Sequence, residues 1–218
     1  MTRARRYSAI ETGDHAIRGM SGTRLYYLHP LLAGPIGAWR TQLDRIAAMR
    51  FDTVVVAPPF ATGRDGDLFL SADHDRLDSR LGAGSALTAL ARFAGECRER
   101  ELWPMLDVVV DRIAAEHATN SLSSWYRVDS ADELPDPRQP PHQAGVARLM
   151  ADADLAGLVE WWTKRFIEWV DAGIADFRCL RPDLAPAQLW HEMISVVRRP
   201  HPQTSFMASA FEVAKAGV

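Results

Sequence analysis

The chain has 218 residues, 47% hydrophobic and 24% charged, with a formal net charge of −3 and a pI near 6.2. That balance fits one large globular domain or two small ones and argues against a nucleic-acid or anionic-membrane surface. No run approaches the roughly 20 apolar residues of a transmembrane helix. Arg3, Arg5 and Arg6 form a basic start with no apolar stretch behind them, so residues 1–22 read as a flexible lead-in and not a signal peptide. Cys97 and Cys179 have no CxxC or histidine spacing. They read as buried free thiols, which suits a reducing, cytoplasmic setting.

In chain order, Arg24 to Pro30 reads as a strand stopped by proline. Trp39, Leu43, Ile46, Ala47 and Met49 then form a helical stripe within 38–50. Phe51-Asp-Thr-Val-Val-Val-Ala-Pro-Pro59 is a β-branched run of the kind buried on both faces of a parallel sheet. Residues 60–82 read as a long polar loop carrying Asp73-His-Asp-Arg-Leu-Asp78, a solvated cluster that lacks the glycine and final glutamate of an EF-hand loop. Residues 85–101 read as a helix with Leu87, Leu90, Ala91, Ala94 and Cys97 on one face, and 102–110 as a third strand interrupted only by Asp107. Residues 111–153 are an irregular, proline-rich excursion.

A helix over 155–171 carries Trp161, Trp162, Phe166, Trp169 and Val170, with Gly173 placed to cap it. These tryptophans, with Trp190, have helix-packing spacing, with stacking on sugar rings as the functional alternative. A short strand, 174–180, follows, and it buries Arg178. A helix opened by Pro186 comes next, then a fifth strand at 204–211. Strands that alternate with helices and are apolar on both faces predict a parallel sheet. It closes either as an open doubly wound sheet or as five-eighths of a (β/α)8 barrel. Neither GxGxxG nor a P-loop is present, so no cofactor is expected.

Four segments together resemble the α-amylase superfamily (glycoside hydrolase family 13), closest to its branch of maltose-1-phosphate-dependent α-1,4-glucan maltosyltransferases. Phe51 to Pro59 is similar to the second-strand "GFD…LPP", with Tyr27, Pro30 and Met49 in the matching lead-in. Asp107-Val-Val-Val-Asp-Arg112 resembles the third-strand DVVxNH block, followed by His117 and Trp125-Tyr126 where the branch has "DHPW … WF". Gly173 to Pro182 resembles the fourth-strand "GVxxFRxDxP", and Ser205 to Phe211 the fifth-strand "FLAEAF". The resemblance covers about residues 24–211 and implies an incomplete TIM barrel of about five βα units.

It also implies a retaining mechanism, with two carboxylates about 5 Å apart acting as nucleophile and general acid. Here the nucleophile position is Leu180 and the acid position is Ser209. Neither side chain can do the chemistry. The Asn and His of the third-strand block are Asp111 and Arg112, and the third carboxylate of the pattern lies past residue 218. Asp107 and Asp176 are the carboxylates left to consider as displaced catalytic groups, with Glu212 a further stand-in for the acid.

Arg178 carries over as the arginine that orients the nucleophile. A guanidinium in such a strand requires a carboxylate partner, and Asp176 and Asp107 are the two within reach. Arg178, Asp107, Asp111, His29 and His117 are the candidate substrate contacts, and no metal-ligand spacing occurs. The expected function is a catalytically silent relative that binds α-glucan or maltooligosaccharide or serves assembly. The alternative is an active transferase or glycosidase using displaced carboxylates or completed by a partner chain. Five strands leave two open sheet edges, so a homo-oligomer or a partner domain is expected to cover them.

Overall fold

A computed structural model describes residues 23–118, 120–128, 145–150 and 153–209. The expected lead-in at 1–22, Glu212 and, within the proline-rich stretch, residues 119, 129–144 and 151–152 lie outside these residues. The elements are β1 Leu25–Leu28, α1 Pro30–Ala33, α2 Trp39–Ala48, β2 Thr53–Val56, β3 Phe60–Thr62, β4 Ser71–Leu77, α3 Ala86–Arg98 and β5 Trp103–Val109. They continue with β6 Arg112–Ala114, β7 Tyr126–Val128, β8 Val146–Leu149, α4 Leu155–Asp171, β9 Asp176–Leu180, α5 Ala187–Arg198 and β10 Phe206–Ser209.

The main sheet is β1-β2-β5-β9-β10, parallel throughout. Its strand order follows the chain without reversal. A doubly wound sheet needs a switch point where the order turns back, and none is present. Consecutive parallel strands added on one side are the layout of a (β/α)8 barrel. Tyr27 on β1 and Arg178 on β9 sit three strands apart, roughly 14 Å in a flat sheet at ~4.8 Å per strand. The Arg178 guanidinium nevertheless lies 4.9 Å from the Tyr27 ring centroid, which supports a sheet rolled about its concave face.

Three of the four crossover helices, α2, α3 and α4, end in the same way, and that ending sets where the next strand begins. The N–H of Phe51 donates to the Ile46 carbonyl and that of Arg50 to Ala47; Leu102 and Glu101 do the same to Cys97 and Arg98; Ile174 and Gly173 to Trp169 and Val170. These are Schellman closures, with Arg50, Glu101 and Gly173 at φ 63°, 57° and 104°. In each case the next residue is apolar and packs inward, and the strand follows within a few residues. Only the third uses glycine, and there it is required twice over. A Cβ on Gly173 would lie 3.0 Å from the Ala94 Cβ and 2.8 Å from Arg98 Nη2.

The core lies between the sheet and its helices. It contains Leu43 and Ile46 from α2, Leu90, Phe93 and Cys97 from α3, Trp162, Phe166 and Trp169 from α4, and Leu189, Met193 and Val197 from α5. Phe166 packs edge-on against Phe177 of β9 and Phe206 of β10, with centroids 4.7 and 5.5 Å apart. Both cysteines are free and buried, and burial pushes the Cys179 thiol up to about 12. No helix of the described residues is long and apolar enough to cross a membrane.

Two expectations need correction. The "polar loop" at 60–82 contains an antiparallel pair, β3–β4, with His74 buried on β4 and Asp78 buried just after it. Thr62 Oγ1 donates to Asp78 at 2.9 Å, and Arg80 donates from Nε at 2.8 Å, so the charges are satisfied by segments distant in sequence or by a local turn. The inward face of α3 is Ala86, Ala89, Leu90, Phe93, Ala94 and Cys97, and Leu87 points to solvent. The excursion contributes a second small sheet, β6-β8-β7.

Candidate functional site

Period-two alternation divides the sheet residues between two faces. On β9, Phe177 and Cys179 are buried against the helices, and Asp176, Arg178 and Leu180 share the opposite face. The register carries that concave face across the sheet. Tyr27 aligns with Val55, Val55 with Met105, Met105 with Asp176, and Asp107 with both Arg178 and, through it, Met207.

Asp107 and Arg178 are therefore strand neighbours, and they form a bidentate pair. Nε and Nη2 of Arg178 each donate to a different Asp107 oxygen at 2.6 Å. The Asp107 side chain is fully buried and that of Arg178 is 21% exposed. Burial pushes the Asp107 carboxyl above its ordinary range, and the hydrogen-bonded Arg178 opposes that push. For Arg178, burial works against the charge, and the Asp107 carboxylate more than offsets it. Tyr27 lies over the guanidinium, and burial and then Asp107 raise its hydroxyl pKa. Of the two partners open to Arg178 in the sequence, Asp107 is the one used. Asp176 instead accepts the Ser205 N–H at 2.9 Å.

Leu180 and Ser209 also meet. They are register partners on β9 and β10, at the carboxyl ends of both strands, and Val109 flanks Leu180 on the other side. The backbone N–H of Arg181 donates to the Ser209 carbonyl at 3.1 Å. Adjacent strands run ~4.8 Å apart, close to the ~5 Å separation of the carboxyl groups in a retaining glycosidase. Thus the two residues are neighbours at the strand ends, one strand spacing apart, and neither is a carboxylate. Asp176 lies four residues before Leu180, about 13 Å down the strand at ~3.3 Å per residue. It is at the amino end, away from the mouth.

The other candidates divide between two places. His29 sits just past β1 beside Tyr27, with ring centroids 6.5 Å apart, and its buried Nδ1 has no partner among the described residues. Asp111 lies just beyond β5. Arg112 Nη1 donates to its Oδ2 at 3.0 Å, and its buried Oδ1 is unpartnered among the described residues. Burial raises its pKa against the pull of Arg112. His117 belongs to a different cluster. Its Nε2 lies 3.3 Å from His74 Nδ1, in a cage of Phe60, Trp161 and Trp162. Sequence reasoning missed His74 because it stood in an apparently solvated charge run. Among the described residues, no group of three or more His, Cys, Asp or Glu side chains is placed to hold a metal.

No family model matches the chain. A maltosyltransferase of Burkholderia pseudomallei strain K96243, alpha-1,4-glucan:maltose-1-phosphate maltosyltransferase, is 36% identical over 180 residues, covering 80% of this chain and 16% of that protein. The protein of the same name from Bifidobacterium longum is 24% identical over 206 residues, covering 83% of this chain and 27% of the relative. An Anoxybacillus α-amylase superposes with a TM-score of 0.74 at 16% identity, covering 89% of this chain and 48% of that one. A cyclic α-maltosyl-(1→6)-maltose hydrolase from Arthrobacter globiformis superposes with a TM-score of 0.73 at 18% identity, covering 88% and 52%. The chain thus spans well under a third of these curated relatives and about half of these solved structures. By sequence the chain is similar to part of the alpha-1,4-glucan:maltose-1-phosphate maltosyltransferases, and its fold is that of part of the (β/α) barrel of these solved structures.

Proposed function

We propose that this chain is a catalytically silent α-amylase-type partial barrel that binds α-glucan or maltooligosaccharide at the carboxyl ends of its strands. The observation that carries this reading is the adjacency of Leu180 and Ser209 at the spacing where a retaining enzyme has its two carboxylates. Leucine cannot form a glycosyl ester, and serine cannot protonate a glycosidic oxygen at neutral pH. In the same reading Asp107, Arg178, Asp111 and His29 line the binding face, with Tyr27 offering a ring on which a sugar could stack. His117 lies in a separate cluster and is the weakest of these contacts. In the same reading residues 23–218 are one domain, and it works in the cytoplasm.

A second reading is an active transferase completed by another chain. It draws on the small share of each relative that this chain spans and on β1 and β10 as the outermost strands of the main sheet. Completion through a partner or a second copy would have to supply both missing carboxylates, because Asp176 is at the wrong end of its strand. The test is calorimetry with maltoheptaose and glycogen, alongside a turnover assay with maltose 1-phosphate plus glycogen. Binding without turnover supports the silent reading. Turnover abolished by Asp176→Asn contradicts it.

A further inference from the structure

The most unusual buried polar contact outside the barrel mouth joins three segments far apart in the chain. His74 comes from β4, His117 from the 3-10 turn Ala115–His117 after β6, and Trp161, Trp162 and Arg165 from α4. His74 Nδ1 and His117 Nε2 are 3.3 Å apart. The His74 ring stands edge-to-face to Trp161 and Trp162 at 5.5 and 5.3 Å and tilts over Phe60 at 5.1 Å. A hydrogen bond between two imidazoles needs one nitrogen to donate and the other to accept, so a fully protonated pair cannot make it.

The charges around the pair are unequal. Arg165 on α4 lies with its guanidinium 3.6 Å above the Trp161 ring and opposes a proton on either imidazole. Asp73 and Asp75 on β4 favour a proton on His117, and Asp75 also faces Arg165 at 3.6 Å. Glu168, one turn along α4, acts on Arg165. For His74, burial, then His117, then Arg165 all hold the ring neutral. For His117, burial outweighs the help from Asp73, and its affinity for protons falls as well.

We propose that the His74–His117 contact is an acid-sensitive latch. It clamps the β3–β4 pair and the 115–117 turn onto α4 while both rings are neutral, and it opens when the rings take up protons. The sign follows from linkage. Groups that bind protons less readily when docked than when exposed favour the docked state above the ordinary imidazole pKa of about 6.5. That preference is lost as pH falls below 6.5, by about tenfold per pH unit for each proton taken up, down to the docked-state values.

Hydrogen exchange of the full chain between pH 7.5 and 5.0, corrected for the intrinsic rate, tests it. Amides of β4 and of 115–118 should lose protection about tenfold per pH unit per proton below 6.5, while those of β2 and β5 hold theirs. In His74→Phe, which keeps an aromatic ring in the cage, the pH dependence should fall by the one proton that His74 no longer takes up, leaving that of His117. Equal pH dependence in both proteins, or none in the wild type, overturns the latch. If His74→Phe does not fold, imidazole NMR of the wild type decides: rings that titrate at about 6.5 in the folded chain overturn it, and rings that stay neutral until β4 opens support it.

Discussion

Two buried polar pairs hold distant segments of this molecule together, and they do so in opposite electrostatic states. Asp107–Arg178 joins neighbouring strands of the barrel as a bidentate ion pair, aligned by sheet register. His74–His117 joins β4 to the excursion, against α4, as a contact between rings that are both held neutral. The difference lies in what burial costs. A carboxylate and a guanidinium in a fork geometry compensate one another, so the pair survives a wide pH range. Two imidazoles beside an arginine have counter-charge only at His117, from Asp73 and Asp75, and burial outweighs it, so the pair is buried neutral.

The largest expected effect comes from breaking the charged pair on one side. Arg178→Met leaves Asp107 buried and unpaired and should cost about 3–5 kcal/mol at neutral pH, read by chemical denaturation. The loss has a defined pH sign. An unpaired buried carboxyl has a folded-state pKa raised above about 3.9, so its penalty is absent at low pH and grows as pH rises past that value. Replacing both residues, Arg178→Met with Asp107→Leu, should recover most of the loss, because two apolar side chains of similar volume replace a matched pair. An unchanged melting temperature in Arg178→Met would show that the pair contributes nothing.

The neutral pair should show the reverse pH dependence. Each proton taken up on opening weakens the docked excursion by about 1.4 kcal/mol per pH unit below 6.5, and His74→Phe should remove one proton's share of that weakening. Gly173→Ala should cost about 1–2 kcal/mol. It forces a Cβ against Ala94 and Arg98 and disturbs the closure that sets where β9, and hence Arg178, begins. Arg50→Gly is the smallest effect and the opposite in sign, a gain of about 0.5 kcal/mol by thermal melting, because it relieves a left-handed residue that supports neither pair.

The charged pair was half legible in the sequence. An arginine in an apolar strand demands a carboxylate, and two were within reach. The choice between them depended on the β5–β9 register, which residue types alone do not state. The neutral pair was not legible. β4 is bulged where it meets β3, so its burial follows no simple alternation, and the period-two signal that would have marked a strand is broken. Its charges also looked solvated because their partners, Thr62 and His117, lie elsewhere in the chain. The barrel strands were legible because β2 and β5 are buried on both faces and read as continuous apolar runs. The Leu180 and Ser209 positions were legible only through resemblance. Their adjacency at the strand ends is a result of the fold.

The proposal resting on this adjacency is that the strand ends bind glucan without catalytic groups. It is tested most directly by the release of inorganic phosphate from maltose 1-phosphate in the presence of glycogen. The wild-type chain should release none above buffer while still binding maltoheptaose by calorimetry. Phosphate release by the wild-type chain that is lost in Asp176→Asn would contradict the claim.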